Sequence, residues 1–266
     1  MILTKENYHS KEAGWAYMSN SQYKGFLKCE ARELATLKGE YEEEQKDCLV
    51  EGSYLHAWSE GIEALEKFRI DHPEMFSSTG KTKGELKANF KHIEKMISVL
   101  QDDEFVMFCL EGEKEKILTA NLFGVPWKIC IDVFRNDTNV EIKTVKSIRE
   151  LTWSDKHRAK VTFIDAMDYM VQAAIYAEVR RVALGEEKLP QSIMVAVSKE
   201  SSPDKELINL SDHVRFSFEL QNIEMNLPHI LQVKNGEIAP KRCERCDYCR
   251  QTKEITRIIP YTELAF

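Results

Sequence analysis

The order of segments along the chain predicts an α/β (α+β) protein. Three observations carry this. Helical periodicity comes first, over Met18–Leu37, Leu49–Ile70 and Glu85–Leu100. Short β-branched and apolar runs then follow one another over Phe105–Leu110, Lys116–Phe123, Trp127–Phe134 and Val140–Val145. A strong helix, Ile164–Leu184, separates these from two further strands, Ser192–Lys199 and Lys205–Leu210, before a last helix over His213–Val233. With 266 residues, 43% hydrophobic and 30% charged, the chain suits one large domain with an ordinary core, which predicts a single domain over 1–266.

The first helix takes Ser19 or Ser21 as N-cap, sets Tyr23, Phe26, Leu27, Ala31 and Leu34 on its apolar side, and ends at Gly39. The second carries His56 and Glu60 four residues apart, hence on one face, and stops at Asp71–His72–Pro73. Ser77–Gly84 is a polar loop, and Glu85–Leu100 is amphipathic through Leu86, Phe90, Ile93, Ile97 and Leu100. Gly124–Val125–Pro126 is a turn within the following meander. Asn136–Asp137–Thr138–Asn139 joins the last two strands as a hairpin. Gln172 and Tyr176 share a face of the helix Ile164–Leu184, which ends before Gly185. Pro228 is expected to break or kink the final helix.

The hairpin is the chemically informative stretch. Asp132 lies on its first strand, and Glu141 and Lys143, two apart, share a face of the second while Ile142 points into the core. Pairing across the turn brings Asp132 beside Glu141. Two carboxylates ~4 Å apart repel by about 4 kcal/mol at an effective dielectric of 20, so the pair calls for a cation. A hard divalent ion such as Mg²⁺ suits oxygen donors and leaves room for phosphate and water. Lys143 then orients or activates that water. Taken alone, the same spacing also fits a solvated hairpin face with a Glu–Lys pair.

Asp132 followed by Glu141–Ile142–Lys143 resembles the PD-(D/E)xK nuclease motif. Gly52–Ser53 with His56 and Glu60 is similar to the G-x-x-x-H-x-x-x-E motif of RecB-type nucleases, and Gln172 with Tyr176 to their Q-x-x-x-Y motif. The resemblance runs from about Ser19 to Cys249 and looks closest to the phage-borne, RecE-like exonuclease VIII group. It implies a restriction-endonuclease-like core, a mixed central sheet flanked by helices. It also implies a Mg²⁺ or Mn²⁺ ion held by His56, Asp132, Glu141 and the Ile142 carbonyl, with Lys143, Gln172 and Tyr176 completing the catalytic group. The implied activity is resection of duplex DNA ends, with a RecT-like single-strand annealing protein as partner and a homo-oligomer as an open possibility. A same-fold restriction or CRISPR-adaptation nuclease and a non-catalytic DNA-binding module are the rival readings.

The net charge of −7 excludes a protein that coats nucleic acid by bulk charge. Charge is uneven, however: Lys143–Lys160 carries six Lys/Arg against two acidic residues. Lys146, Trp153, Lys156, Arg158 and Lys160 are therefore candidates for meeting a nucleic-acid strand, the cations at phosphates and Trp153 at sugar or base. The alternative is a solvated linker with one buried Trp.

No run of about 18 apolar residues and no export signal is present, which predicts a cytoplasmic protein away from membranes. Its seven cysteines are accordingly expected as thiols or metal ligands. Cys48, Cys109 and Cys130 sit among core-like neighbours. Cys243, Cys246 and Cys249 follow C-x2-C-x2-C spacing among polar residues, a pattern for a soft metal that needs a fourth ligand, and Cys29 is the best candidate. Iron–sulfur nucleases of the RecB type likewise place one Cys before the nuclease motifs and three after. That resemblance implies a 4Fe–4S cluster, with residues 241–266 packed back on the first helix; the short last spacing leaves Zn²⁺ or free thiols open.

Overall fold

The computed structural model describes residues 1–42 and 47–264. In chain order the helices before the sheet are α1 (Lys11–Ala16), α2 (Asn20–Lys28), α3 (Glu30–Lys38), α4 (Asp47–Glu60), α5 (Ile62–Asp71), α6 (His92–Gln101) and α7 (Glu104–Cys109). The strands β1 (Glu113–Leu122), β2 (Val125–Phe134) and β3 (Thr138–Val145) follow, then a small hairpin, β4 (Thr152–Ser154) and β5 (Ala159–Val161). Helices α8 (Phe163–Ala166) and α9 (Tyr169–Leu184) lead to β6 (Gln191–Ser198), β7 (Lys205–Asn209), α10 (His213–Lys234) and α11 (Asp247–Gln251). No helix among the described residues is long and apolar enough to cross a membrane.

Five strands form a mixed sheet in the order β1-β2-β3-β6-β7. Neighbours are antiparallel except β3 and β6, which run parallel from Thr138–Gln191 to Val145–Ser198. A parallel pair needs a long crossover, and α9 lies within it. Side-chain alternation sorts the sheet into two faces. Val140, Ile142, Val195 and Val197 pack with Leu55, Ile93, Met96 and Leu100 of α4 and α6. Met194 and Ala196 pack instead with Ala173, Ala174 and Ala177 of α9 and Phe216 of α10. The expected mixed sheet flanked by helices is thus the architecture.

Several expected elements differ, each for a local reason. The helix over Met18–Leu37 is two helices, because Cys29 is extended (φ −164°, ψ 104°). The helix over Leu49–Ile70 is also two: Gly61 sits at φ 127°, which only glycine holds at little cost. Glu85–Leu100 becomes helical only from His92, since Lys87 N–H donates to the Met75 carbonyl (2.9 Å) and Leu86 bridges Phe76. Phe105–Leu110 is α7 rather than a strand. Asp103 caps it by accepting from the Phe105 and Val106 N–H groups (3.1 and 3.2 Å). Asp168, left-handed at φ 53°, divides α8 from α9. Pro228 stays inside a continuous α10 instead of ending it. The turn of the first hairpin is Phe123–Gly124, both at positive φ, with Leu122 facing Val125. The stretch after Lys146 is the β4–β5 hairpin, on which Trp153 is 59% exposed rather than buried. Gly39 and Gly185 close α3 and α9 in the left-handed conformation, as expected of such C-termini.

Arg180 of α9 fixes the turn between β2 and β3. Its side chain is buried, and it donates to the carbonyls of Arg135 (3.0 Å) and Asn136 (2.6 Å), to Asn139 Oδ1 (2.9 Å) and to Glu186 (2.8 Å). The guanidinium also lies 4.3 Å from the Phe134 ring centroid.

By contact the chain divides into two compact units, where the sequence predicts one domain with a tail. One is Met1–Asn20 with Glu44–Met225, and contains the sheet; the other is Ser21–Glu43 with Asn226–Phe266. Within the second unit, buried Lys234 donates to Gln22 Oε1 (3.0 Å), and Asn226 donates to the Tyr23 hydroxyl (3.1 Å). Glu30 accepts from the Lys241 N–H (2.8 Å), and the Ala31 N–H donates to the Lys241 carbonyl (3.0 Å). Lys241 thus meets the start of α3 through both its N–H and its carbonyl.

Candidate active site

Strands β2 and β3 pair only at Val133–Val140 and Phe134–Asn139. Beyond Val133 the ladder stops and the strands part. The next position on each carries Asp132 and Glu141. Asp132 is buried and takes the place of the missing ladder bond, its Oδ2 accepting from the Ile142 N–H at 2.7 Å. Its other oxygen lies 3.5 Å from Nδ1 of His56 on α4. Glu141 is also buried. Its Oε2 accepts from Lys143 Nζ (3.1 Å) and from Gln172 Nε2 (2.6 Å), whereas its Oε1 has no hydrogen-bond partner. An ionised oxygen left so would be costly, and the chemistry that suits it is a cation.

The electrostatics agree. Burial, and then the nearby Asp132 charge, push the Glu141 carboxyl up to about 8. Burial acts to lower the Lys143 ammonium, but Glu141 and Asp132 outweigh it and hold the pKa above its ordinary value. Lys143 therefore stays charged at neutral pH. Its Nζ also lies 5.9 Å from the Tyr169 ring centroid. Tyr169, Gln172, Tyr176 and Glu141 line one small cavity, and burial followed by Glu141 raises the Tyr176 hydroxyl well above the ordinary tyrosine range.

A residue not anticipated from the sequence completes the cluster. Glu115 of β1 lies at an unpaired step of the ladder, between Lys114–Val133 and Lys116–Ile131, and donor atoms of His56, Glu115 and Asp132 all lie within 4.8 Å of one another. Glu115 holds φ 54°, a conformation that costs a non-glycine residue roughly 1 kcal/mol. Cys130, expected only to pack, donates its thiol to Glu115 Oε2 at 3.0 Å, and burial first, then Glu115, drives its pKa upward. Cys109 is buried as expected, and the Cys48 side chain lies outside the described residues.

Glu60 does not join this group; it pairs with Lys5 (2.8 Å). The five residues considered for nucleic acid are exposed around β4 and β5. Lys146 pairs with Glu150 (3.5 Å), and Trp153 Nε1 donates to Asp155 (2.8 Å). Lys156 bonds Asp168 (2.6 Å), which ties the hairpin to the start of α9, one turn before Gln172. Arg158 turns the hairpin at φ 49°, and Lys160 lies opposite Trp153. In the second unit Cys29, Cys243, Cys246 and Cys249 converge, each offering a sulfur within 4.8 Å of the others.

Residues 19–252 match the model of a family described as a PDDEXK-like domain of unknown function (DUF3799). The chain belongs to this family. A crystal structure from Eubacterium rectale, of a protein whose name proposes an exonuclease, is similar over the whole length. It is 35% identical, covers 100% of this chain and 98% of its own, and superposes with a TM-score of 0.91. No curated protein matches the chain. Membership and this likeness support a nuclease of the PD-(D/E)xK kind.

Within this PDDEXK-like chain, the signal for Glu115 was available in the turn. The two-residue Phe123–Gly124 turn sets Leu122 against Val125, and counting back along both strands puts Glu115 opposite Asp132. A three-residue turn at Gly124–Pro126 loses that register. Arg180 was similarly within reach: it continues the Gln172, Tyr176 stripe by one more helical turn.

Proposed function

We propose that this chain is a metal-dependent deoxyribonuclease that hydrolyses phosphodiester bonds from duplex DNA ends. The observation that carries the reading is the Glu141 carboxylate, gripped by Lys143 and Gln172 through one oxygen while the other is buried without a partner beside Asp132. Donors of His56, Glu115 and Asp132 converge within 4.8 Å of one another, a set that does not itself include Glu141; all are oxygens but one imidazole, which fits a hard divalent ion such as Mg²⁺ or Mn²⁺. His56, Asp132, Glu141, Glu115 and the Ile142 carbonyl are the residues that would hold it. Held there, such an ion would supply Lewis acidity toward a phosphodiester and a bound water.

The chain's own residues do the positioning. Lys143 is held charged by its two acidic neighbours, so it orients water and stabilises a phosphate oxygen rather than removing a proton. Gln172 fixes the rotamer of Glu141 from α9, and Tyr176 closes the wall behind them. The exposed Trp153, with Arg158 and Lys160 on the same hairpin, offers a stacking ring and cations for a strand approaching α9. Duplex resection, and delivery of the product strand to a RecT-like annealing protein, rest on the likeness of the motifs to RecE-like enzymes. The name of the Eubacterium rectale protein supports action at ends.

The test is digestion of end-labelled linear and closed circular DNA with Mg²⁺ or Mn²⁺, by the wild type and by Lys143→Ala and Asp132→Ala. The expected result is loss of linear DNA, survival of circles, and cleavage by either variant reduced at least about 1,000-fold. Only Asp132→Ala should also weaken Mn²⁺ binding. Cleavage of circles replaces the end-dependent reading with an endonuclease, and wild-type cleavage by Lys143→Ala refutes the site.

A further inference from the structure

The four converging cysteines belong to the second compact unit and take no part in the chemistry above. Cys29 is extended where α2 gives way to α3, and the other three lie at the start of α11 and just before it. The Sγ atoms of Cys29 and Cys249 are 3.6 Å apart, those of Cys246 and Cys29 3.8 Å, and those of Cys243 and Cys249 3.9 Å. These spacings, with all four sulfurs within 4.8 Å of one another, bear on which occupant fits. Four sulfurs at the corners of a tetrahedron, about 2.3 Å from one central ion, are about 3.8 Å apart. A 4Fe–4S cluster sets a cube of four irons between its thiolates and spreads their sulfurs to roughly 6 Å. The cysteines therefore enclose room for one ion and none for a cluster.

Hydrogen bonding points the same way. The Cys246 N–H donates to Cys243 Sγ at 3.3 Å, and that sulfur also receives the Arg245 N–H. Cys246 Sγ receives the Cys249 N–H, and Cys29 Sγ receives N–H groups of Arg32 and Cys243. Backbone donors aimed at sulfur favour thiolates. Several thiolates within 4 Å of each other repel strongly unless a cation stands among them. The Arg242 guanidinium adds positive charge beside the set, donating to the Cys249 carbonyl at 2.7 Å.

We propose that Cys29, Cys243, Cys246 and Cys249 hold a single zinc ion in a closed, tetrahedral, structural site. Four thiolate ligands leave no open position, so the ion performs no catalysis; it joins the α2–α3 junction to the C-terminal segment. On binding, each thiol gives up its proton, and no electron is transferred. Zinc is redox-inert, so the join holds in a reducing compartment where a disulfide would not. The proposal stands independently of the nuclease reading.

The experiment is elemental analysis of the full-length protein, purified under nitrogen from cells supplied with both iron and zinc, after EDTA has removed loosely held ions. One zinc per chain is expected, with neither iron nor acid-labile sulfide. Replacement by Co²⁺ should give the intense visible absorption of tetrahedral cobalt thiolate. A mercurial reagent should release the zinc as four thiols react. Cys29→Ser is expected to retain less than about a tenth of the zinc under the same wash, whereas Cys109→Ser, in the other unit, should keep all of it. The mercurial titration on wild type decides the matter even where Cys29→Ser fails to fold. Stoichiometric iron with sulfide, a metal-free protein, or full zinc retention by soluble Cys29→Ser would each overturn the proposal.

Discussion

Replacing Arg180 by Met tests whether the turn between the two acid-bearing strands is held from α9. The guanidinium is 1% exposed and donates to two backbone carbonyls, Asn139 and Glu186. Methionine keeps much of the volume and the contact with Phe134 but supplies no donor. Removing one partner of a buried, hydrogen-bonded ion pair costs about 3–5 kcal/mol, largely through the groups left behind. Glu186 is 26% exposed and regains water, which places the loss at the lower end, about 3 kcal/mol. For a unit of this size that lowers Tm by roughly 6–12 °C. Because the pair is buried, added salt should change the loss little. Calorimetric melts of wild type, Arg180→Met and Arg180→Lys are the assay, with the lysine variant in between because it keeps charge but loses the planar fork. A methionine variant melting within about 1 °C of wild type would refute the clamp.

Two further outcomes concern the ion. His56→Ala and Glu115→Gln should each raise the Mn²⁺ concentration for half-maximal cleavage about tenfold or more while leaving DNA retention in EDTA unchanged. An unaltered metal requirement for Glu115→Gln removes that residue from the ligand set. Affinity for Mn²⁺ should also rise with pH. In the proposed ligand set the ion would need ionised Glu141, whose carboxyl is pushed up to about 8 by burial and Asp132, so a proton would compete below that value. Calorimetric titrations from pH 6 to 9 should show tighter binding up to about pH 8 and a plateau beyond; a flat profile contradicts the role given to Glu141.

What could be seen in the sequence was short-range. Glu141 and Lys143 share a strand face, and Gln172 and Tyr176 a helix face, because two- and four-residue spacings survive in any tertiary setting. Asp132 came with them through the hairpin. Glu115 needed the register of a second hairpin, and a one-residue error in its turn was enough to lose it. Apolar runs misled where period alone cannot separate strand from helix. Phe105–Leu110 has strand composition, yet it buries Val106, Cys109 and Leu110 at helical spacing and exposes Phe105 and Phe108. Cys29 reads as part of one continuous helix because nothing in a cysteine marks a break. Its neighbours in space lie more than two hundred residues further along. Gly61, by contrast, did carry a signal: a glycine inside a helical pattern invites a break.

The parting of β2 from β3 has a consequence for the order in which the site is assembled. Two ladder pairs are a weak hold on the carboxylates beyond them, whereas β3 is bound along its whole length to β6, a strand made much later. Parallel pairing of this kind waits on a long loop closing, so it comes late in folding. A chain still emerging from the ribosome thus already contains Asp132, Glu141 and Lys143, but no frame that sets them at working distance. Gln172 arrives with the crossover and β6 after it, and the arrangement dates from their docking. The proposed site is therefore complete only once α9 and β6 have docked.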